Sequence, residues 1–185
     1  MLYQPVCIDS WGFVSPDGSL QLSTVNCKLS TDYIRIYTQS GGVLLARRHP
    51  KRPSLFATRD GVFFWLNRNG LRSAHVRFVP TIHPKLCHTR YPFLAGDRGM
   101  CCHHLLWEIW QGPRTPGMEI DHINGNILDW SLDNLREVTP SENRRSARIL
   151  RSLRASGLDP CTLSRSQLLA LFTANNVAGD IYEGD

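Results

Sequence analysis

The sequence lacks the features that define two large classes of protein. It contains no run of about 18 apolar residues, so no transmembrane helix is expected in these 185 residues. Its first residues have neither the basic segment nor the apolar stretch of a secretory signal. We therefore expect a cytoplasmic, intracellular protein with no membrane partner.

Cysteine pairs with metal-ligand spacing are also lacking. None of the six cysteines forms a C-x-x-C pair, so neither a redox motif nor a zinc ribbon is indicated. One segment, residues 83–104, is nevertheless dense in cysteine and histidine, and Cys87, Cys101 and Cys102 with a histidine offer ligands for structural Zn²⁺. Because the spacing fits no zinc signature, and adjacent Cys-Cys and His-His pairs on a strand would point to different faces, packed thiols and histidines are the simpler interpretation.

Negative charge is scarce in two segments. Residues 35–98 contain twelve Lys and Arg against two acidic residues, a net charge of +10. Residues 136–154 contain six Arg and two Glu, a net charge of +4. Such segments favour a polyanionic partner, although scattered solubilising charge would give the same composition.

The first 99 residues carry the patterns of strands and turns. Alternating apolar and polar residues predict a strand at Tyr33–Tyr37, and Asn67–Gly70 is typical of a hairpin turn. The segment Arg47–Pro53 has two prolines and is predicted to be a loop or linker that contacts either phosphate or solvent. The following strands form either a basic ribbon for a DNA groove or a sheet that buries Phe63, Phe64 and Trp65, and we favour the sheet.

The pattern changes to β-β-α after residue 117. Strands are predicted at Met118–Ile123 and Leu135–Val138, separated by an Asx-rich loop. Thr139, followed by Pro140 and Glu142, predicts the start of a helix that runs to about Ala155. Two further helices are predicted, one before this unit and one after it, at His103–Trp110 and Thr162–Phe172.

The β-β-α segment contains the residue types that hydrolyse a phosphodiester. This reaction needs an activated water and a positive charge on the phosphoryl oxygens. Asp121 offers a carboxylate and Asn143 an amide oxygen, both donors that Mg²⁺ or Mn²⁺ accepts. His122 can take a proton near neutral pH, although it points away from Asp121 unless the strand bends or ends there. Each residue alone has an ordinary structural explanation as a turn, helix or packing residue.

Three motifs in register resemble those of the HNH nucleases, which have a ββα-metal site. Residues 121–126 match D-H-x-x-G-N, residues 132–139 match D-N-L-[RE]-x-[VT]-T with a preceding Leu, and residues 141–143 match the final E-N. The preceding helix resembles the family's H-R-L-V helix, with His104 in place of Arg. The resemblance is closest to the branch found in intron-encoded and phage-encoded homing endonucleases, and it covers residues 100–148.

The resemblance implies a role for each matched residue. His122 is implied as the general base, Asp121 and Asn143 as metal ligands, and Asn134 as the residue that holds the loop. An Asn in place of the final His favours Mg²⁺ or Mn²⁺ over a softer metal. Four arginines follow Asn143 in the same helix: Arg144, Arg145, Arg148 and Arg151. At least some of them are expected to reach DNA phosphates, and the alternative is a solvated helix face.

We therefore expect an α+β protein with three regions. Residues 1–99 are predicted to be a basic, β-rich region for DNA recognition, residues 100–157 the nuclease core, and residues 158–185 a C-terminal helix and tail. The predicted activity is metal-dependent hydrolysis of double-stranded DNA, either as a nicking monomer or as a homodimer. The alternatives are a non-catalytic DNA-binding module that keeps the same scaffold, and a nuclease that acts on RNA or as a toxin.

Overall fold

The computed structural model describes residues 12–14, 20–22, 32–37, 42–80, 90–95 and 101–179. Within these ranges the chain has eleven β-strands and three α-helices, which confirms the α+β class. Internal contacts divide the chain into two compact units, residues 1–113 and 114–185. The three-region division by function stays a prediction.

The first unit is built mainly from antiparallel strands. Strands β3 to β7 form a five-stranded sheet in chain order, while β1 pairs with β2 and β8 pairs with β9. The strand bounds are β1 Gly12–Val14, β2 Leu20–Leu22, β3 Tyr33–Tyr37, β4 Val43–His49, β5 Arg52–Thr58, β6 Phe63–Asn67, β7 Gly70–Ser73, β8 Val76–Pro80 and β9 Arg90–Leu94. The predicted strand at β3 and the predicted turn between β6 and β7 are both confirmed.

The five-stranded sheet buries aromatic and aliphatic side chains, as expected. Phe63 and Phe64 are each 1% exposed, whereas Trp65 is only half-buried. Phe56 and Ile36 join Phe64 in one apolar cluster on the sheet. Burial of these side chains is the main stabilising contribution to this unit.

The basic segment Arg47–Pro53 is a tight hairpin, so its prediction as a loop or linker is wrong. Strands β4 and β5 run through it and are joined at Pro50 and Lys51. The pairing shifts from Arg48 opposite Phe56 to His49 opposite Arg52, which leaves Pro53 in a bulge. A proline is compatible with a strand at such a place, because its missing N–H is not required by the ladder.

Two arginines of this hairpin are held by packing within the first unit. The guanidinium of Arg47 lies over the ring of Tyr33, 5.5 Å from its centroid, and donates to the carbonyl oxygen of Trp110 at 2.9 Å. Arg48 lies over the ring of Phe56 at 5.4 Å. Both are therefore partly engaged in cation–π contacts and less available to an external polyanion.

Helix α1, Cys102–Trp110, belongs to the first unit. It buries one side of the helix through Leu105, Leu106 and Ile109. The amphipathic helix predicted at His103–Trp110 is thus confirmed to within one residue. No helix in the described part of the chain is long and apolar enough to cross a membrane.

The second unit contains the predicted β-β-α arrangement. Strand β10 is Glu119–His122, strand β11 is Leu135–Val138 and helix α2 is Pro140–Ala155. Thr139 begins the helix with a capping box, in which its Oγ1 accepts from the N–H of Glu142 at 3.2 Å and its own N–H donates to Glu142 Oε2 at 2.8 Å. The strands, the cap and the end at Ala155 agree with the prediction.

The C-terminal helix starts and ends later than predicted. Helix α3 is Arg165–Gly179 rather than Thr162–Phe172. Ser164 begins it, because its Oγ accepts from the N–H of Gln167 at 3.3 Å while its N–H donates to Gln167 Oε1 at 2.8 Å. Thr162 instead closes a short 3-10 turn. Leu168 and Phe172 of α3 pack with Ile123 and Leu150, so the helix docks within the second unit.

Candidate functional site

The register of the β10–β11 hairpin separates Asp121 from His122. Asp121 lies opposite Arg136, and His122 lies opposite Leu135. Because successive residues of a strand point to opposite faces, Asp121 faces α2 while His122 faces the other side of the hairpin. Burial alternates along β10, and the strand ends at His122, where the turn of the loop begins.

Asn134 ties the two ends of the loop between the strands. Its Oδ1 accepts from the N–H of Asn124 at 3.0 Å. Its Nδ2 donates to Asn124 Oδ1 at 2.9 Å and to the carbonyl oxygen of Asp129 at 2.7 Å. Its own carbonyl oxygen accepts from the N–H of Ile123 at 2.8 Å. These bonds connect Asn134 to the turn that immediately follows His122.

Asp121 forms an ion pair with Arg136 across the hairpin. Oδ2 of Asp121 accepts from Nη2 and Nε of Arg136 at 2.8 and 3.1 Å. The two side chains are 11% and 17% exposed, respectively. Burial raises the pKa of Asp121, and the hydrogen bonds and charge of Arg136 oppose that shift. The ionised form of Asp121 is therefore favoured by the nearby positive charge of Arg136.

Arg136 is itself held on three sides. Besides Asp121, it donates to Oγ of Ser146 on α2. Its guanidinium lies over the ring of Phe172 on α3, 4.3 Å from the centroid. Glu142 and Arg145 line a small cavity beside it, together with Ser146 and Phe172. Both helices of the unit therefore fix the side chain that neutralises Asp121.

Asn143 reaches the same face of the hairpin through Glu119. Its Nδ2 donates to Glu119 Oε2 at 2.6 Å. Glu119 lies two residues before Asp121 on β10 and so points to the same face. Asn143 and Asp121 are thus on one face, which carries two carboxylates and one amide.

His122 lies in a nearly dry environment. It is 6% exposed, and this burial lowers its pKa to about 4, an effect that the charge of Asp129 opposes. The imidazole is therefore neutral at pH 7. A buried neutral histidine can accept a proton, but it is a weaker base than a solvated histidine.

The arginines after Asn143 fall into two groups. Arg144, Arg148 and Arg151 are exposed, and their spacing on α2 puts them on one side of the helix. Arg145 is half-buried and lines the cavity beside Arg136. Arg154, which the sequence did not single out, donates to the carbonyl oxygens of Asn124 and Gly125 at 3.4 and 3.3 Å.

Two residues of this site were missed by sequence reasoning. Glu119 could have been found from the two-residue period of a strand, which puts it on the face of Asp121. Arg136 follows Leu135 in the motif, but its pairing with Asp121 depends on the hairpin register. That register is a tertiary fact that the spacing alone does not give.

The cysteine and histidine segment is described only in part, because Cys87 lies outside the described residues. Cys102 is fully buried, and burial raises the pKa of its thiol to about 12. Such a thiol is a poor metal ligand, because only the thiolate binds well. Side-chain ligand atoms of Cys101, His103 and His104, however, all lie within 4.8 Å of one another.

Comparison with known proteins relates this segment to a protein family. Residues 101–145 match the model of the HNH endonuclease family. The chain is also similar to Protein 3.8 of Escherichia phage T7, with 40% identity over 65 residues. That alignment covers 35% of this chain and 53% of the phage protein, about half of its length. No solved structure matches the chain.

Replacing Asn134 with Ala should destabilise the second unit. The change leaves the N–H of Asn124 and the carbonyl oxygen of Asp129 without this partner, at a cost of about 2–3 kcal/mol. Unfolding in urea measures the loss. Asp133→Ala, at an exposed neighbouring position, is the matched control and should cost much less. Equal losses of unfolding free energy in the two variants would show that the hydrogen bonds of Asn134 do not stabilise the loop.

The buried His122 should make the protein less stable in mild acid. Its folded pKa of about 4 is below the unfolded value of 6.5, so the unfolded chain binds more protons between these values. Stability from this residue is present above pH 6.5 and is lost as the pH falls toward 4. Between pH 7 and 5 the loss is about 2 kcal/mol.

Urea unfolding of wild type and His122→Gln at both pH values checks this expectation. Glutamine is similar in size and does not titrate, so the variant should lose about 2 kcal/mol less than wild type over the same range. Identical pH dependence in the two proteins would mean that His122 is not buried in its neutral form.

Proposed function

We propose that this protein is a metal-dependent DNA endonuclease that hydrolyses phosphodiester bonds with one HNH site per chain. The observation that carries the proposal is the shared face of Asp121, Glu119 and Asn143 in the segment that matches the HNH family. The family match supports nuclease chemistry. To this we add the metal, the DNA substrate and the roles of individual residues.

The donor set of this face fits a hard divalent cation. Asp121 and Glu119 offer carboxylate oxygens, and the amide oxygen of Asn143 is not used in its bond to Glu119. Mg²⁺ and Mn²⁺ prefer such oxygen ligands. Asp121 and Asn143 are the proposed ligands, with Glu119 as a close neighbour. When bound, the ion would supply positive charge for the phosphoryl oxygens and the leaving 3′-oxygen.

The remaining roles belong to the side chains themselves. His122, neutral at pH 7, accepts a proton from the attacking water. A bound phosphate would raise the pKa of this histidine, because a nearby negative charge favours the imidazolium form. Asn134 keeps the turn after His122 in place. The exposed arginines Arg144, Arg148 and Arg151 bind the DNA backbone.

A non-catalytic DNA-binding module is the second candidate, and two observations favour it. Asp121 is neutralised by Arg136, and His122 is buried on the opposite face of the hairpin. A protein that kept the scaffold but not the reaction would tolerate both features. Cleavage assays separate the two candidates, because the second predicts binding without hydrolysis.

Supercoiled plasmid incubated with the protein and Mg²⁺ or Mn²⁺ should become nicked or linear. A single site per chain predicts nicking by a monomer and linear product if two chains act together. His122→Gln should lower the rate by about 10²-fold or more, since it removes the proton acceptor. Asp121→Asn should also abolish most of the cleavage.

Asp133→Asn, an exposed acid in the same hairpin loop, is the control and should keep full activity. A wild-type protein that binds the plasmid but cuts neither DNA nor RNA with either metal would support the second candidate. Cleavage of RNA but not of DNA would change the substrate class and leave the site assignment in place.

The exposed arginines of α2 should determine the salt dependence of DNA binding. Each phosphate contact contributes about 0.9 to the slope of log affinity against log salt concentration. The triple change of Arg144, Arg148 and Arg151 to Gln should therefore reduce the slope by up to about 3. Fluorescence anisotropy with labelled duplex measures this slope.

Arg165→Gln, at an exposed position at the start of α3, is a suitable control and should leave the slope unchanged. An unaltered slope in the triple variant would show that these arginines form a solvated helix face.

A further inference from the structure

We propose that Cys101, His103 and His104 form a second metal site, selective for Zn²⁺ or a similar borderline-soft divalent ion. The site lies at the start of α1 in the first unit. It differs in donor chemistry from the oxygen-rich face around Asp121. Its existence does not depend on the nuclease function proposed for the second unit.

Three ligand atoms converge at the start of α1. The ligand atoms of Cys101, His103 and His104 lie within 4.8 Å of one another. In a tetrahedral Zn²⁺ site, bonds of about 2.0–2.3 Å separate ligand atoms by roughly 3.3–3.8 Å. Closing the present arrangement requires movements of about 1 Å, which side-chain rotation can provide.

The helical backbone alone does not dictate this convergence. Adjacent residues of a helix point about 100° apart and do not face each other. The rings of His103 and His104 nevertheless approach to 4.1 Å between centroids, in an edge-to-face arrangement. The expectation that these neighbours point to different faces of a strand was wrong, because they lie in the first turn of α1.

The three donor groups suit Zn²⁺ better than Mg²⁺. One thiolate and two imidazoles are the ligands that Zn²⁺ favours, whereas Mg²⁺ prefers oxygen. Cys101 and His104 are half-buried and His103 is buried, so part of the cluster is open to solvent. Three protein ligands leave one coordination position for water or another donor.

An ion bound at this site would stabilise the first turn of α1. The N-terminus of α1 has no side-chain hydrogen bond from Cys101 and no acidic residue in its first turn. Its N–H groups therefore lack the usual side-chain cap. A metal held by residues 101, 103 and 104 would fix this first turn and raise the stability of the folded chain by mass action.

The test uses Co²⁺ as a spectroscopic substitute for Zn²⁺ in the full chain after removal of metals with a chelator. Wild type should bind one Co²⁺ with a tetrahedral visible spectrum and a thiolate-to-cobalt charge-transfer band, and Zn²⁺ should displace it. Cys101→Ser should lose the charge-transfer band. His104→Gln should weaken Co²⁺ binding by at least about tenfold.

Two control variants locate the site. Cys161→Ser removes an exposed cysteine of the second unit, and Asp121→Asn changes the oxygen-rich face, so both should keep the band. Circular dichroism of the metal-free variants verifies folding. If Cys101→Ser does not fold, the same Co²⁺ titration of His104→Gln tests the site, and unchanged Co²⁺ binding by that variant would contradict the proposal.

A charge-transfer band that persists in Cys101→Ser, or a wild type without sulfur-bound Co²⁺, would overturn the proposal. Because the assay measures no cleavage, its failure leaves the proposed nuclease function untouched. Conversely, a protein without nuclease activity could still show the predicted band.

Discussion

The carboxylate of Asp121 is only 11% exposed, and its charge must be compensated where water reaches little of it. Arg136 supplies this compensation. One side chain thereby connects both strands of the hairpin through Asp121, helix α2 through Ser146 and helix α3 through Phe172. Removing an arginine from such an arrangement leaves a poorly solvated charge without its partner, which costs more than the pair itself gains.

This ion pair also sets the conditions under which Asp121 can act as a ligand. In the proposed site, a divalent cation and Arg136 share the same carboxylate, so the arginine lowers the net gain from binding the ion. The contacts of Arg136 with Ser146 and Phe172 do not depend on Asp121. They allow the guanidinium to remain nearby, where it would attract a phosphate group. The C-terminal helix therefore contributes to the candidate site through Phe172.

Local signals predicted much of the second unit. Thr139, Pro140 and Glu142 specify the start of α2 because the capping box is a short-range arrangement. The strands on either side of the loop follow from their alternation and turn residues. The start of α3 was misjudged because Ser164 and Gln167 cap the helix, whereas Thr162 ends a short 3-10 turn.

The features that could not be predicted depend on register or on long-range packing. The pairing of Asp121 with Arg136 needs the hairpin register, and the burial of His122 depends on residues that pack around it from elsewhere in the fold. The basic segment at β4 and β5 was misjudged because its prolines indicated a loop, whereas a bulge accommodates Pro53. Tertiary packing overrides local propensity at these places.

The central claim is that the face of Asp121 and Asn143 holds a hard divalent cation. Titration of the full chain with Mn²⁺, followed by electron paramagnetic resonance of the free ion, measures this directly. We predict one Mn²⁺ site per chain, and Mg²⁺ should displace the bound Mn²⁺. Asp121→Asn and Asn143→Ala should each weaken Mn²⁺ binding strongly, whereas Asp133→Asn should leave it unchanged. Equal Mn²⁺ binding by wild type and Asp121→Asn would contradict the account.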